Sequence, residues 1–200
     1  MRLAEARASR VDVGATASWS YQGDGPTILL IHGFRGDHHG LSAIAGALDG
    51  YQVLIPDLPG YGKSAEFADE HNLDNYAAWL VDYAEAIGTD VIVAGHSFGS
   101  LVVAAAHAKG LKSKATVLIN PITTAASTSV AGKLAALYYR LGRLGWLGSY
   151  LLRSALVVRI MSISMATTGN WALRGFIHDQ HLRFFSSYVS DRVALEGFEA

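Results

Sequence analysis

The 200-residue chain is 50% apolar and 16% charged, a composition that supports one globular unit with a real core and excludes intrinsic disorder. Its 16 basic and 17 acidic side chains leave a net charge of −1, without the basic footprint of nucleic-acid binding, so no nucleic-acid partner is expected. The lack of cysteine excludes disulfides, thiolate metal sites and thiol nucleophiles.

The opening MRLAEARASRVDVG has no apolar run of the kind a secretory signal carries, and no stretch reaches about 18 uninterrupted apolar residues. A soluble, cytoplasmic protein is the expectation. VDVGATASWSYQGDGP then alternates in polarity with Gly and Asp at its turns, the pattern of an antiparallel hairpin. Four short runs follow: TILLI (27–31), YQVLIP (51–56), DVIVAG (90–95) and ATVLIN (115–120). They are β-branched and nearly continuous in apolarity, as strands buried on both faces are, which predicts a parallel sheet. Helical patterns over 41–48, 73–87 and 97–109 alternate with them, so the fold class is α/β, a mostly parallel sheet with helices on both faces.

The strand signal ends after Pro121. Residues 1–122 carry eight Lys/Arg and thirteen Asp/Glu, net −5, whereas 123–200 carry eight and four, net +4. The division expected is a core over 1–122 and a helical lid over 123–200, its helices broken at Gly142, Gly145, Gly148, Gly169 and Gly175. Residues 144–165 are apolar enough to raise a membrane question. Arg153 and Arg159 interrupt them, and a mid-bilayer arginine is costly, so a pocket-covering lid is preferred and a membrane-surface partner is not expected.

The sharpest motif is Gly95-His96-Ser97-Phe98-Gly99, between the DVIVA strand and the LVVAAAHAK helix. Glycines flank the serine because a tight strand-to-helix turn leaves no room for side chains there, and the turn lifts the Ser97 hydroxyl clear of the sheet. The helix beginning at that point aims N–H groups and a positive dipole end at a developing oxyanion. Ser97 is the candidate nucleophile. Ile31-His32-Gly33-Phe34 closes the TILLI strand. Acyl transfer needs two backbone donors converging on one oxygen, and the N–H groups of Phe34 and Phe98 fit that role, with His32 itself structural. In Asp57-Leu58-Pro59-Gly60-Tyr61-Gly62-Lys63-Ser64, a phosphate-loop reading of Gly62-Lys63-Ser64 fails. That motif needs glycine at position 57, where aspartate stands, and a helix at once, where a polar loop follows. The stretch reads as a turn shaped by Pro59, Gly60 and Gly62 beside the pocket.

HGF, DLPGYGKS and GHSFG, in this order and spacing, resemble the α/β-hydrolase family, in its lid-bearing branch of esterases, lipases and carbon–carbon hydrolases. The resemblance is close over residues 10–125 and loose over 126–200. It implies Ser97 as nucleophile, the Phe34 and Phe98 N–H groups as oxyanion hole, Gly95 and Gly99 as elbow glycines, and neither metal nor cofactor. A dehalogenase relative would carry Asp at position 97. The implied reaction is hydrolysis of a small apolar ester-like substrate through a Ser97 acyl-enzyme, in a pocket lined by Phe34, Tyr61, Phe98 and the lid aromatics Trp146 and Tyr150.

The family's triad runs Ser, Asp or Glu, then His, the last two on loops after strands that follow the lid. The chain reaches Ala200 still in helical sequence. The expectation is therefore a C-terminally truncated chain with its last strands missing, leaving the ATVLIN strand at an open sheet edge through which a dimer could form. The competing reading is a catalytically inactive fragment or interaction module. Asn120 stands where some relatives carry the acid, and an amide would not stabilise an imidazolium as a carboxylate does. His178 and His181 remain as a base or metal pair, but two histidines without a third ligand make a poor metal site, and a solvated helix face is the preferred reading.

Overall fold

The computed structural model describes residues 8–123 and 130–200. Six strands form one sheet: β1 (Ala8–Val13), β2 (Thr16–Tyr21), β3 (Thr27–Ile31), β4 (Gln52–Pro56), β5 (Ile92–His96) and β6 (Ala115–Ile119). Their spatial order is β1-β2-β4-β3-β5-β6. β1 and β2 form the antiparallel hairpin, with Val13 opposite Thr16. The two-residue loop between them has Gly14 at φ 60°, a left-handed conformation that glycine adopts without steric cost. β2 pairs antiparallel with β4, and β4, β3, β5 and β6 are mutually parallel.

Period-two alternation sorts the central strands' side chains to two faces. Leu29, Ile31 and Val93 face one core together with α2 (Leu73–Ile87) and α3 (Phe98–Ala108). Ile28, Leu30, Val53, Ile55 and Ala94 face a second core under Leu41 and Ala45, the latter on the short helix α1 (Ser42–Ala47). Helices thus cover both faces. α2 starts at Asn72, whose side chain accepts from the Asn75 N–H at 2.9 Å, satisfying one of the donors a helix start leaves free. It buries Tyr76, Ala77, Leu80, Tyr83 and Ala84, a single face at helical spacing. Tyr83 also reaches Ser18 on β2, oxygen to oxygen, at 2.6 Å.

Five more helices follow: α4 (Val130–Leu141), α5 (Gly145–Arg153), α6 (Ala155–Met165), α7 (Trp171–Phe184) and α8 (Asp191–Glu199). The glycine punctuation holds in part. Gly142 and Gly169 lie between helices, but Gly148 and Gly175 lie inside α5 and α7. Gly148 is there for close approach, because a Cβ would sit 2.2 Å from the Gly142 carbonyl oxygen. α8 packs into the main core through Val193 and Ala194, beside Tyr188, and the loop after β4 is tied to the same segment by Val189 N–H to Gly60 O at 2.8 Å. Among the described residues no single helix is long and apolar enough to cross a membrane. β6 is the last strand of the sheet order, and its Val117 and Leu118 are 46% and 45% exposed.

The loop after β4 is organised by one carboxylate. Asp57, fully buried, accepts from the His38 N–H and bonds the His38 ring at Oδ1 (2.8 and 2.9 Å), and accepts from the Lys63 N–H at Oδ2 (2.9 Å). Gly62 is obligatory beside it: φ is 55° and a Cβ would lie 1.9 Å from Asp57 Oδ2. Removing the carboxylate leaves three buried or half-buried donors without their acceptor. Asp57→Ala is expected to lower unfolding free energy by about 3 kcal/mol, read as a lower urea midpoint with an unchanged denaturant slope.

Candidate active site

Ser97 occupies the junction of β5 and α3 with φ 53° and ψ −119°. This is a strained conformation for any residue other than glycine, and it persists only where the surroundings hold it. Here the Ser97 N–H donates to Ile119 O on β6 at 3.0 Å, and the Ser97 carbonyl accepts from the Ser100 N–H and hydroxyl at 2.9 and 2.5 Å. The two flanking glycines are there for space. A Cβ on Gly95 would stand 2.4 Å from Gly99 O, and one on Gly99 would stand 2.3 Å from Ile31 O and 2.6 Å from His32 O. The helix start is therefore pressed against the end of β3, and the half-buried Ser97 faces the loop that follows it. A Cβ placed on Gly33 would lie 3.2 Å from Ser97 Cβ.

That loop is fixed by His32, which is buried. Its Nε2 accepts from the Leu58 N–H at 2.9 Å, so Nδ1 carries the proton and donates to Gly33 O at 2.8 Å. Burial pushes the imidazole pKa down, against the opposing pull of Asp57. His32 therefore clamps the ends of β3 and β4 as a neutral ring. Phe34, next in the loop, meets Phe98 at 6.1 Å between ring centroids and Tyr61 at 6.4 Å. Among the described residues neither the Phe34 nor the Phe98 backbone N–H has a hydrogen-bond acceptor, and the Phe98 N–H opens an 11-residue helix.

The surroundings of Phe34 differ from the expectation. Trp146 and Tyr150 are 83% and 68% exposed and contribute nothing to this cluster. Tyr139 of α4 and Phe198 of α8 stand in their place, 5.7 and 6.5 Å from the Phe34 ring and stacked on each other at 4.1 Å. Helical periodicity cannot tell which aromatic of a five-helix segment turns inward. Gly197 completes the contact, because a Cβ there would press on Tyr61 Oη and Phe34 Cε2 at 2.9 and 3.1 Å.

Arg35 had no assigned role in the sequence and is the strongest feature of the site's rim. It is completely buried and at φ 62°, with its guanidinium among residues of α4, α5 and the segment after α7. It donates to Leu152 O (2.5 Å), Phe185 O (3.3 Å), the Tyr138 and Tyr139 hydroxyls (3.1 and 3.3 Å) and Ser186 Oγ (3.2 Å). The rings of Phe185 and Tyr188 lie 5.1 and 5.5 Å from its central carbon.

Five other histidines, at 38, 39, 71, 178 and 181, also have partners. His71 is buried, with Nδ1 on Glu196 at 3.1 Å and Nε2 accepting from the Phe67 N–H at 3.2 Å; burial lowers its pKa although Glu196 opposes the shift. His178 and His181 do not form a solvated face. Both ring Nδ1 atoms reach the fully buried Ser162 hydroxyl, at 2.6 and 2.8 Å. Asn120 is exposed with φ 48° just beyond β6. Asp37, His38 and His39 bring three possible metal-ligand atoms within 4.8 Å. However, His38 Nδ1 is engaged by Asp57 and His39 Nδ1 by Asp37, both at 2.9 Å, and the two rings stack on Trp19 and Phe184. This cluster is a hydrogen-bonded packing motif.

A strand, a strained serine between close-packed glycines, and a helix, facing a His-Gly loop, are the arrangement against which the comparisons fall. The model of the alpha/beta hydrolase family matches residues 28–195. The chain belongs to the alpha/beta hydrolase family. Over 95 residues it is 37% identical to Lipase 3 of Moraxella sp. (strain TA144), covering 44% of this chain and 30% of the lipase. It is 33% identical over 95 residues to the pimeloyl-[acyl-carrier protein] methyl ester esterase of Shewanella oneidensis, covering 44% and 34%. The matched stretch thus spans about a third of these relatives. In three dimensions the esterase EaEST from Exiguobacterium antarcticum superposes with a TM-score of 0.70 at 15% identity, over 94% of this chain and 70% of that one.

Two outcomes follow. Arg35→Ala strips five acceptors of their donor and is expected to cost about 3 kcal/mol of stability. Arg35→Lys should recover part of it, because one ammonium reaches fewer of those acceptors; both are read by urea unfolding. The second concerns pH. His32 and His71 accept backbone N–H groups and stay neutral in the fold, with pKa values below the ordinary value of about 6.5. Unfolding restores that value, so the unfolded chain binds more protons as pH falls below it, and the stability these rings confer is complete above about 6.5 and lost on acidification. The urea midpoint should drop between pH 7.5 and 5.5, and His71→Gln should flatten the slope. An unchanged midpoint would contradict the neutral-clamp assignment.

Proposed function

We propose that this hydrolase cleaves small apolar esters or related acyl compounds through a Ser97 acyl-enzyme, with the Phe34 and Phe98 N–H groups receiving the oxyanion. The observation that carries the proposal is the strained Ser97 backbone, held between Gly95 and Gly99 at the N-terminus of α3 with Gly33 against its Cβ. A non-glycine residue held in that conformation between close-packed glycines supports a role for its side chain. The positive end of α3 and the two N–H groups without acceptors supply electrostatic stabilisation where charge would develop, a contribution worth about 10²–10³ in rate for each donor. Phe34, Phe98 and Tyr139 would offer the acyl group an apolar wall. In the reaction, Ser97 Oγ forms a bond to the acyl carbon, the alcohol leaves with a proton, and water then releases the acid and restores the serine. The ester-directed relatives support this class of substrate.

One observation favours a second reading. Among the described residues Ser97 Oγ is hydrogen-bonded to no histidine, and a serine without a general base is an alcohol of very high pKa. In that case the chain is an inactive module of the same fold. A fluorophosphonate probe separates the two, because it labels only activated serines. The proposal expects stoichiometric labelling in intact-mass spectra, located at Ser97 by peptide mapping and absent in Ser97→Ala, together with turnover of p-nitrophenyl butyrate. A folded chain that neither labels nor turns over belongs to the second reading.

A further inference from the structure

We propose that the groove between α6 and α7 is a separate binding site for a carboxylate-bearing amphiphile, with a medium-chain fatty acid as its simplest form. The cavity measures about 600 Å³, within the range of small-ligand sites. Its lining includes no residue of the Ser97 elbow or of the loop after β3, so the proposal stands independently of the chemistry at Ser97.

The ionisable side chains that line the groove are all basic. Arg159, Arg174 and His178 line it, and no carboxylate does. Arg159 is exposed and has neither an ion pair nor a hydrogen bond among the described residues. Arg174 is positioned rather than neutralised: Nε and Nη2 donate to Thr168 O at 3.1 and 2.7 Å, its central carbon lies 5.2 Å from the Trp171 ring, and Nη1 is uncommitted. Asp179, next to His178 in sequence, is paired with Arg183 at 3.0 Å. Two guanidiniums facing one cavity without an acid repel each other, and an anion would relieve that repulsion. Guanidinium forks match a carboxylate in geometry as well as charge.

His178 adds a directed group. The Ser162 hydroxyl has one proton and meets the Nδ1 atoms of both His178 and His181, so it can donate to only one of them, and the ring that accepts carries its own proton on Nε2. With His178 as the acceptor, its Nε2 carries the proton and offers the cavity that the ring lines a hydrogen-bond donor. Burial and the two arginines both favour the uncharged ring.

Apolar side chains make up part of the remaining lining. Ile163 and Trp171 are 60% and 81% exposed, and both line the groove with Ala166. Two large apolar side chains left in water beside a cationic pocket fit a ligand with an anionic head and a short hydrocarbon tail. A phosphate ion would use the basic groups alone, and an uncharged alcohol only the apolar side chains.

The test is calorimetric titration of the full chain with sodium octanoate, 1-octanol, inorganic phosphate and phosphatidylglycerol vesicles. Tryptophan fluorescence is followed in parallel, and Trp171→Phe assigns its source. Saturable octanoate binding is expected, with octanol and phosphate weaker by at least about tenfold. Arg159→Gln is expected to weaken octanoate about tenfold (about 1.4 kcal/mol), and Arg174→Gln similarly. Because Arg159 has no partner among the described residues, its variant keeps the fold, as circular dichroism would verify. Octanoate binding that survives Arg159→Gln, octanol binding as tightly as octanoate, or a response to phosphate alone or vesicles alone would each overturn the proposal.

Discussion

The loop that carries Phe34 is held by a single buried cation. Arg35 sits one residue beyond a proposed oxyanion donor, in a left-handed backbone conformation, and its guanidinium is satisfied entirely by neutral groups from the α4–α5 region and the segment after α7. A buried charge without a counter-ion is tolerable only when dipoles replace its hydration. Two carbonyls, three hydroxyls and the faces of four aromatic rings do so here. The helices can leave the sheet only by stranding that charge, so their docking and the loop's conformation form one cooperative arrangement. The strain at Arg35 and at Ser97 lies just beyond the ends of two adjacent parallel strands, the first held by these helices and the second by β6 and the packed glycines.

Beneath that rim the strand ends are stapled by polar side chains. His32 joins the β3 end to the β4 end, Asp57 joins the β4 end to the 3-10 turn at His38, and Ser64 closes the loop by donating to Asp57 O and accepting from the Ala17 N–H. His71 extends the chain of staples to α8 through Glu196. Irregular backbone at the carboxyl ends of parallel strands must find partners for its N–H and C=O groups. In this chain those partners are histidines and a carboxylate, which makes the site's scaffold sensitive to protons even though the N–H groups proposed for the oxyanion are not.

Much of the sheet was legible because its signal is local. TILLI, VLIP and VIVAG are buried on both faces, and continuous apolarity in four to six residues reports that directly. β6 shows what composition alone leaves out: ATVLI has the same composition, yet four of its five side chains are exposed, in keeping with the sheet-edge position expected for it from the strand order rather than from its own residues. The serine turn was legible for a steric reason, with Gly95 and Gly99 each facing a carbonyl oxygen. Arg35 was invisible because its partners lie 103 to 151 residues away. The same distance hid Tyr139 and Phe198 behind the more conspicuous Trp146 and Tyr150. His178 and His181 read as a polar face because the buried hydroxyl that pairs them lies on another helix. A possible signal was Ser162 itself, a small polar residue inside an apolar helix, where an unpartnered hydroxyl would be costly.

The site divides into parts with different origins, and this bears on how it could work. Its proposed oxyanion donors are main-chain N–H groups, oriented by φ and ψ within two short turns and by the contacts that lock them. No rotamer has to be chosen for them to point correctly, and any side chain at positions 34 and 98 would leave them in place. Proton transfer is different in kind: it needs one imidazole at one distance from Ser97 Oγ, supplied by another element and oriented by a third group. Electrostatic stabilisation of this kind retains a rate advantage over water when the base is removed. On the proposed mechanism a chain of this architecture need not be wholly active or wholly inert, because the proposed oxyanion donors depend on backbone conformation and proton transfer on the presence of a suitably placed side chain.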